Sequence, residues 1–399
     1  MKKNTDVNQL FNNLMKLSKE SESFFFKDFS LDDKVYRIFN YRLASWTEFQ
    51  LPDAINARGI MFDITSDCNP TIACMPPTKF FNYEEGGVDH KQNKIGDQMV
   101  KMDGSLISTY LHNGDLLLKS KSSLFSTQAL SAMNLLNNPE NSALKIELQI
   151  LANMSYTANM EYTSPSNRVV VSYEKDALTL LGIREHNTGM SLYASELEVF
   201  LDRHNMPELK KILVKYISLK DRVINQEEYV SSIKAEQEGE GYVVEMVGED
   251  RAYLVKLKNT KYLMLHQTKE AIFSDKKLFE AVIEEVTDDL RTLFIDDDYI
   301  IRRIEDMENR VRPVYNHMVN TVESFVEKNK HLTRKEFAIL GQAETNQLFG
   351  LCMASYLGKE VSFKEFAKKY RREIFNIEDK IFDLEEIRSS EVFKKRRPT

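Results

Sequence analysis

Residues 99–108 read MVKMDGSLIS, and the lysine two places ahead of Asp-Gly, in a stretch that otherwise alternates like a strand, decides how the chain is read. Taken alone, Lys-x-Asp-Gly is a solvated turn. Its surroundings are more specific. SLISTYL (105–111) and DLLLKSK (115–121) flank His112-Asn113-Gly114, and Asn-Gly supplies the positive φ angles that a tight hairpin requires. Lys101 therefore stands just before a β-hairpin. Asp103 and Gly104 are expected to form the turn that aims it, with glycine permitting close approach.

Upstream, Val7, Leu10, Phe11, Leu14 and Leu17 recur at helical spacing, followed by the strand-like VYRIFNY (35–41). RGIMFDI (58–64) and NPTIACM (69–75) read as two extended segments around a Ser-Asp-Cys-Asn turn, with Arg58 opening the first. Downstream, TQALSAMNLL (127–136) and SALKIELQIL (142–151) read as helices. ANMEYT, RVVVSY and LTLLGIR, between 158 and 184, read as strands. The stretch 194–237 is helical and polar, and GYVVEMV (241–247) pairs with AYLVKLK (252–258) across Gly248-Glu249-Asp250. Beyond about residue 262 the strands stop. Segments 277–295, 299–329, 334–357 and 362–389 carry apolar residues at helical spacing among Glu, Lys and Arg. The expected class is α+β: antiparallel sheets with flanking helices over 1–262, then an all-α domain over 263–399. A chain of 399 residues is long enough for two domains.

Composition narrows the function classes. The apolar share of 42% and charged share of 29% are those of a globular protein, and no apolar stretch is long enough to span a bilayer. The start, MKKNTDVNQLFNNLMKL, lacks the apolar core of a secretory signal, so a cytoplasmic location is expected. The three cysteines, Cys68, Cys74 and Cys352, suit a reducing compartment better than a disulfide framework or a zinc site. Cys352 reads as a packing residue. A net charge of −7 argues against coating nucleic acid by bulk electrostatics and leaves room only for a local basic groove. The tail KKRRPT (394–399) reads as a solvated end.

A lysine used as a nucleophile must be neutral, yet at a free pKa near ~10.4 only about one in a thousand is unprotonated near neutral pH. Such a site needs desolvation, other cations or a metal around it. Lys119 and Lys121, and likewise Lys256 and Lys258, have the period-two spacing that puts both side chains on one sheet face. Arg58 and Lys79 add two more cations, Lys79 directly before Phe80-Phe81. Glu161 and Glu240 are read as strand-entry carboxylates able to hold a hydroxyl or a divalent cation. Each of these residues alone is an ordinary surface charge.

Their order is what carries meaning. Lys-x-Asp-Gly, then Met-Glu-Tyr, then Glu-Gly-Tyr-Val, then Lys-Leu-Lys resembles the covalent nucleotidyltransferase set shared by ligases and mRNA capping enzymes. Further stretches resemble the bacteriophage RNA ligase 1 family: LFNNLM (10–15), YRIFNY (36–41), LPDAINARGIMF (51–62), KFFN (79–82), DGSLIS (103–108), TANMEYTSPSNRVV (157–170), IREHNTG (183–189) and LFGLCMASYLG (348–358). Met102 fills the variable position of the Lys-x-Asp-Gly element. The stretch 232–258 is longer than its counterpart, and 190–235 resembles the family only weakly.

The resemblance implies an ATP-dependent RNA ligase. Lys101 would attack the α-phosphate of ATP to give lysyl-AMP, AMP would pass to an RNA 5′-phosphate, and an RNA 3′-hydroxyl would displace it. It also implies roles: Arg58 and Lys79 on the polyphosphate, Glu161 on the ribose, Glu240 on Mg²⁺ or Mn²⁺ or on the nucleotide, and Lys256 and Lys258 on the phosphates. Lys121, with Lys119 as the neighbouring choice, would make a further phosphate contact, and Tyr41, Phe81 and Tyr262 would line the pocket. The helical end implies specificity for RNA, single-stranded or nicked in a loop, with tRNA anticodon-loop repair as the role and a monomer as the state. A DNA ligase, a GTP-dependent capping-type nucleotidyltransferase and an inactive RNA-binding protein on the same scaffold stand as alternatives.

Overall fold

Helical spacing at the amino end is realised as Val7–Glu20, capped by Asp6, whose carboxylate accepts from the Gln9 N–H at 2.9 Å. Leu10, Leu14 and Leu17 are its buried face. The computed structural model describes residues 5–66, 69–90, 92–165, 173–222, 224–236, 238–248, 252–260, 262–263, 274–295 and 297–378. Cys68, most of RVVVSY, Glu249, Asp250 and the KKRRPT tail lie outside the described residues. Two units divide the chain: Met1–Tyr41 with Ser45–His266, and Arg42–Ala44 with Gln267–Thr399.

Three sheets build the first unit. In the first, β1 (Phe24–Leu31), β2 (Lys34–Tyr41), β3 (Met61–Asp63) and β4 (Thr71–Cys74) run antiparallel in that order. The extended segments expected around the Ser-Asp-Cys-Asn turn are thus present but shorter. Arg58 does not open a strand: it lies in the turn before β3, where Gly59 takes φ 90°. The second sheet, ordered β11-β10-β9-β7-β8, comprises β7 (Ser105–His112), β8 (Asp115–Ser120), β9 (Tyr156–Thr163), β10 (Ala177–Glu185) and β11 (Ser191–Leu192). Asn113 at φ 50° and Gly114 at φ 90° close the β7–β8 hairpin as the Asn-Gly pair predicts. Helices Thr127–Leu136 and Ser142–Asn153 bury Ala132, Leu136, Leu148 and Leu151 with Ile107 and Met160 of this sheet.

The third sheet, ordered β12-β6-β13-β14-β5, comprises β5 (Phe81–Asn82), β6 (Lys94–Val100), β12 (Tyr216–Ser218), β13 (Gly241–Val247) and β14 (Ala252–Lys258). Its β14–β5 pair is parallel, an exception in an otherwise antiparallel design. β12 corrects the all-helical reading of 194–237: Tyr216–Ser218 pairs with the edge of β6, an interaction that no local periodicity announces. Because β6 belongs to one sheet and β7 to another, residues 101–104 form the crossing between them. That crossing positions the site.

The second unit is helical among its described residues, with Asp275–Ile283, Thr287–Leu293, Asp298–Asn329, Arg334–Glu344, Phe349–Tyr356, Phe363–Lys369 and Arg371–Phe375. Three of the four expected long helices are broken. Glu285 (φ 60°) and Asn346 (φ 44°) take left-handed conformations that no α-helix contains, and Tyr370 (φ −105°, ψ 27°) separates Phe363–Lys369 from Arg371–Phe375; residues 379–389 lie outside the described residues. Leu278, Phe279, Val282, Ile304, Val311 and Val319 form its core. Cys352 is fully buried beside Val322 and Phe337. No described helix is long and apolar enough to cross a membrane.

Candidate active site

Both neighbouring sheets grip the crossing through its backbone. The Lys101 N–H donates to the Gly241 carbonyl at 3.0 Å, from the β13 side. The Gly104 N–H donates to Glu161 Oε1 at 3.0 Å, from the β9 side. Between them, the Asp103 N–H donates to the Tyr173 hydroxyl at 3.0 Å, and the buried Asp103 carboxylate accepts from the Tyr262 hydroxyl at 3.2 Å. Gly104 is needed for closeness rather than for a left-handed turn. A Cβ there would stand 2.4 Å from the Tyr162 carbonyl oxygen of β9. Gly241, at φ 127°, is packed against the Leu257 carbonyl of β14 and so delivers Glu240 to the pocket immediately before its strand.

Glu240 organises the charges. Its side chain is 2% exposed, with Oε2 2.7 Å from Lys101 Nζ and Oε1 3.3 Å from Lys258 Nζ. Glu161 is not a strand-entry residue. It is the sixth residue of β9, paired with Leu106 and Thr179 on either side. Burial pushes its carboxyl up to about 7, against the opposing pull of Lys101, the Gly104 N–H and Arg58, while Glu240 adds to the rise. Lys101, Arg58 and Glu240 thus all act on the Glu161 carboxyl.

Aromatic rings set out the remaining cations. The Lys79 ammonium lies 5.6, 5.4 and 5.4 Å from the ring centroids of Tyr41, Phe49 and Phe81, and Lys121 stands 4.4 Å over Tyr41. Phe80 lies between Arg58 at 5.5 Å and Lys256 at 5.9 Å, and Lys258 is 5.5 Å from Tyr262. β5 ties this group to β14 through the Lys256–Asn82 pairing. Lys119, the neighbouring choice to Lys121, has no exposed surface. It donates to the Gly59 carbonyl at 2.8 Å, and burial pulls its pKa below the usual lysine value. Of this pair, Lys121 is the one that meets the Tyr41 ring. Phe49, Phe80 and Tyr173 complete the arrangement without having been singled out; only Phe80, inside KFFN, carried a signal.

Glu240 is the carboxylate that a divalent cation could use here. Both Glu240 oxygens already face ammonium groups, and among the described residues no three His, Cys, Asp or Glu side chains converge. Such a donor set fits an ion bound mainly through phosphate oxygens and water, with Glu240 as its carboxylate, and does not form a closed protein cage.

Glu161→Gln tests the charge balance. A carboxyl raised from 4.5 to about 7 adds stability below about pH 4.5 that is lost as pH rises through 7. The variant, which keeps an oxygen for the Gly104 N–H, should lose that pH dependence and gain on the order of 2–3 kcal/mol over wild type at pH 8. Urea unfolding at pH 5 and pH 8 measures it, and equal pH dependence in the two proteins would contradict the raised carboxyl.

Comparison with known proteins gives the family of the chain. The family described as RNA ligase matches residues 56–263, and the C-terminal domain of T4 RNA ligase 1 matches residues 269–384. A protein of Autographa californica nuclear polyhedrosis virus, whose name pairs polynucleotide kinase with RNA ligase, is 29% identical over 252 residues, 58% of this chain and 34% of that one. RNA ligase 1 of Bacteriophage TS2126 is 25% identical over 334 residues, 78% of each chain. A Naegleria gruberi RNA ligase solved with AMP and Mn is 15% identical with a TM-score of 0.36, covering 45% of this chain and 54% of that chain. The chain thus spans about a third of the viral protein and about half of the Naegleria one. Carrying the family's sequence pattern over more than half its length, the chain belongs to the RNA ligase family.

Proposed function

We propose that the chain is an ATP-dependent RNA ligase that joins RNA 5′-phosphate and 3′-hydroxyl ends, with a broken tRNA anticodon loop as its substrate. The observation that carries this reading is the crossing itself, where Lys101 meets Glu240 and Glu161 from two sheets beside a ring-mounted set of cations. Residues 1–262 supply the nucleotidyl-transfer chemistry and 263–399 the RNA specificity.

In the first step Lys101 Nζ, having given one proton to solvent, bonds to the α-phosphorus of ATP, the bond to pyrophosphate breaks, and the nitrogen releases a second proton to solvent to leave the phosphoramidate. Lys79, Lys121 and Arg58 neutralise the leaving polyphosphate, and Lys256 and Lys258 the α-phosphate. Glu161 accepts from the ribose. Mg²⁺ or Mn²⁺, when bound through Glu240 and the phosphates, supplies further charge neutralisation and alignment. In the second step an RNA 5′-phosphate oxygen bonds to the same phosphorus, the N–P bond breaks, and Lys101 takes two protons from solvent to return to its ammonium form. In the third the RNA 3′-oxygen bonds to the 5′-phosphorus, its proton passes to solvent, and AMP leaves. Such chemistry needs alignment and charge neutralisation more than a proton relay, which suits a pocket rich in cations.

Incubation with α-labelled ATP or GTP and Mg²⁺, followed by denaturing electrophoresis, adduct mapping and a sealing assay on RNA and DNA, tests the reading. The expected result is an ATP-derived label on Lys101 and sealing of RNA. Labelling by GTP would favour capping chemistry, sealing of DNA alone a DNA ligase, and folded protein without an adduct a binding protein.

A further inference from the structure

Pairing in the first sheet fixes which side chains of β1 share a face. Phe25 lies opposite Asn40, Lys27 opposite Ile38 and Phe29 opposite Tyr36, and directly paired residues point to the same side. Asn40 donates to the Lys121 carbonyl at 3.0 Å, and Ile38 and Tyr36 are buried with Leu124. The loop that follows β8 therefore runs along this face, from Lys121 to Phe125. Its near end is the candidate pocket, where Lys121 stands over Tyr41. At its far end Phe125, 53% exposed, meets Phe29 edge-on with ring centroids 6.3 Å apart.

Between these ends β1 forms an edge of its sheet, with Phe25 half-buried and Lys27 exposed, its ammonium 5.9 Å from the Phe25 ring. Asp28, the one acid of β1, points to the opposite face, where it takes a two-pronged bond from Arg37. The product is a rim of aromatic rings around the Lys27 ammonium that follows β1 for roughly 13 Å from Phe25 to Phe29. An exposed phenylalanine on a face that also carries Lys27 and, at its other end, Lys121 is ill suited to duplex phosphates and well suited to unpaired bases, whose faces stack on aromatics while the backbone meets lysines. With a net charge of −7, attraction for RNA must come from local features of this kind.

We propose that this rim carries the single-stranded RNA end adjoining the nucleotide pocket, with a base stacked on Phe125 and backbone phosphate held by Lys27. The inference rests on the ligase reading for its occupant, and the two can fail separately. The probe is a short 5′-phosphorylated, 3′-blocked oligoadenylate, titrated by fluorescence anisotropy, with lysyl-AMP formation from ATP measured in parallel without RNA. Phe125→Ala should weaken binding about ten-fold, Phe125→Trp should retain it, and Lys27→Gln should reduce the slope of log affinity against log salt by roughly 0.7. None should alter adduct formation. RNA affinity unchanged in both Phe125→Ala and Lys27→Gln would overturn the rim while leaving the ligase reading intact. Loss of affinity in a protein that forms no adduct would overturn the ligase reading and leave the rim standing. A concentration-dependent dimer that Phe125→Ala dissolves, with RNA affinity unchanged, would give the face to a second copy and overturn the proposal.

Discussion

Lys101→Arg is expected to leave the protein folded and to abolish the ATP-derived adduct, a loss of at least about a thousand-fold in labelling. Arginine preserves what the resting structure uses. It keeps a positive charge opposite Glu240 Oε2, where Lys101 Nζ now lies at 2.7 Å, and leaves Lys258 on the other oxygen. The Lys101 side chain is 21% exposed, so a bulkier head has somewhere to go, and unfolding free energy should move by about 1 kcal/mol or less. On the proposed mechanism arginine removes the nucleophile, because a guanidinium does not give up its proton in a protein.

The same variant separates the steps. Sealing of an RNA already carrying a 5′-adenylate needs no new bond to Lys101, so Lys101→Arg should retain that reaction while losing the overall one. Labelling that persists would assign the nucleophile to another amine of the pocket, of which Lys258 is the nearest through their shared Glu240. Loss of both activities in a folded protein would mean that the ammonium itself, and not only its nitrogen lone pair, is required in the last step.

Much of this pocket was legible because its signals are local. Asn113-Gly114 dictates a hairpin, period-two lysines dictate a shared face, and a carboxylate just before an alternating run dictates a strand entry, as Glu240 shows. The crossing was not legible, because it arises from pairings distant in sequence: β6 with β13, and β7 with β9. For the same reason Glu161 was misplaced at the mouth of a strand whose interior it occupies, and Tyr216–Ser218 was absorbed into a helical stretch. β1 escaped notice because FFFKDFSL alternates poorly; its aromatic residues fall on both faces of an edge strand. Lys119 illustrates a different limit. Periodicity pairs it with Lys121, but only the tertiary structure turns one lysine onto a buried carbonyl and the other toward an aromatic ring.

Glu240→Ala should be costly to both stability and chemistry, for one electrostatic reason. Removing a carboxylate that is 2% exposed leaves the ammonium groups of Lys101 and Lys258 facing each other without their shared counter-charge. Breaking a buried pair in this way is expected to cost about 3 kcal/mol, the lower end of the usual range because Lys101 keeps some contact with water. Adding Lys258→Met removes one of the stranded charges, so the double variant should recover part of the loss in urea unfolding, a coupling that independent sites would not show. Adduct formation should not recover with it, since Lys101 still lacks its anchor and a phosphate-bound cation still lacks its carboxylate. If Glu240→Ala were as stable as wild type, the two lysines would be drawing little from the pairing, as exposed ion pairs do. Glu240 would then be free to serve the cation alone. If the double variant regained labelling along with stability, the role of Glu240 would reduce to holding the pocket together, and the metal would need another ligand.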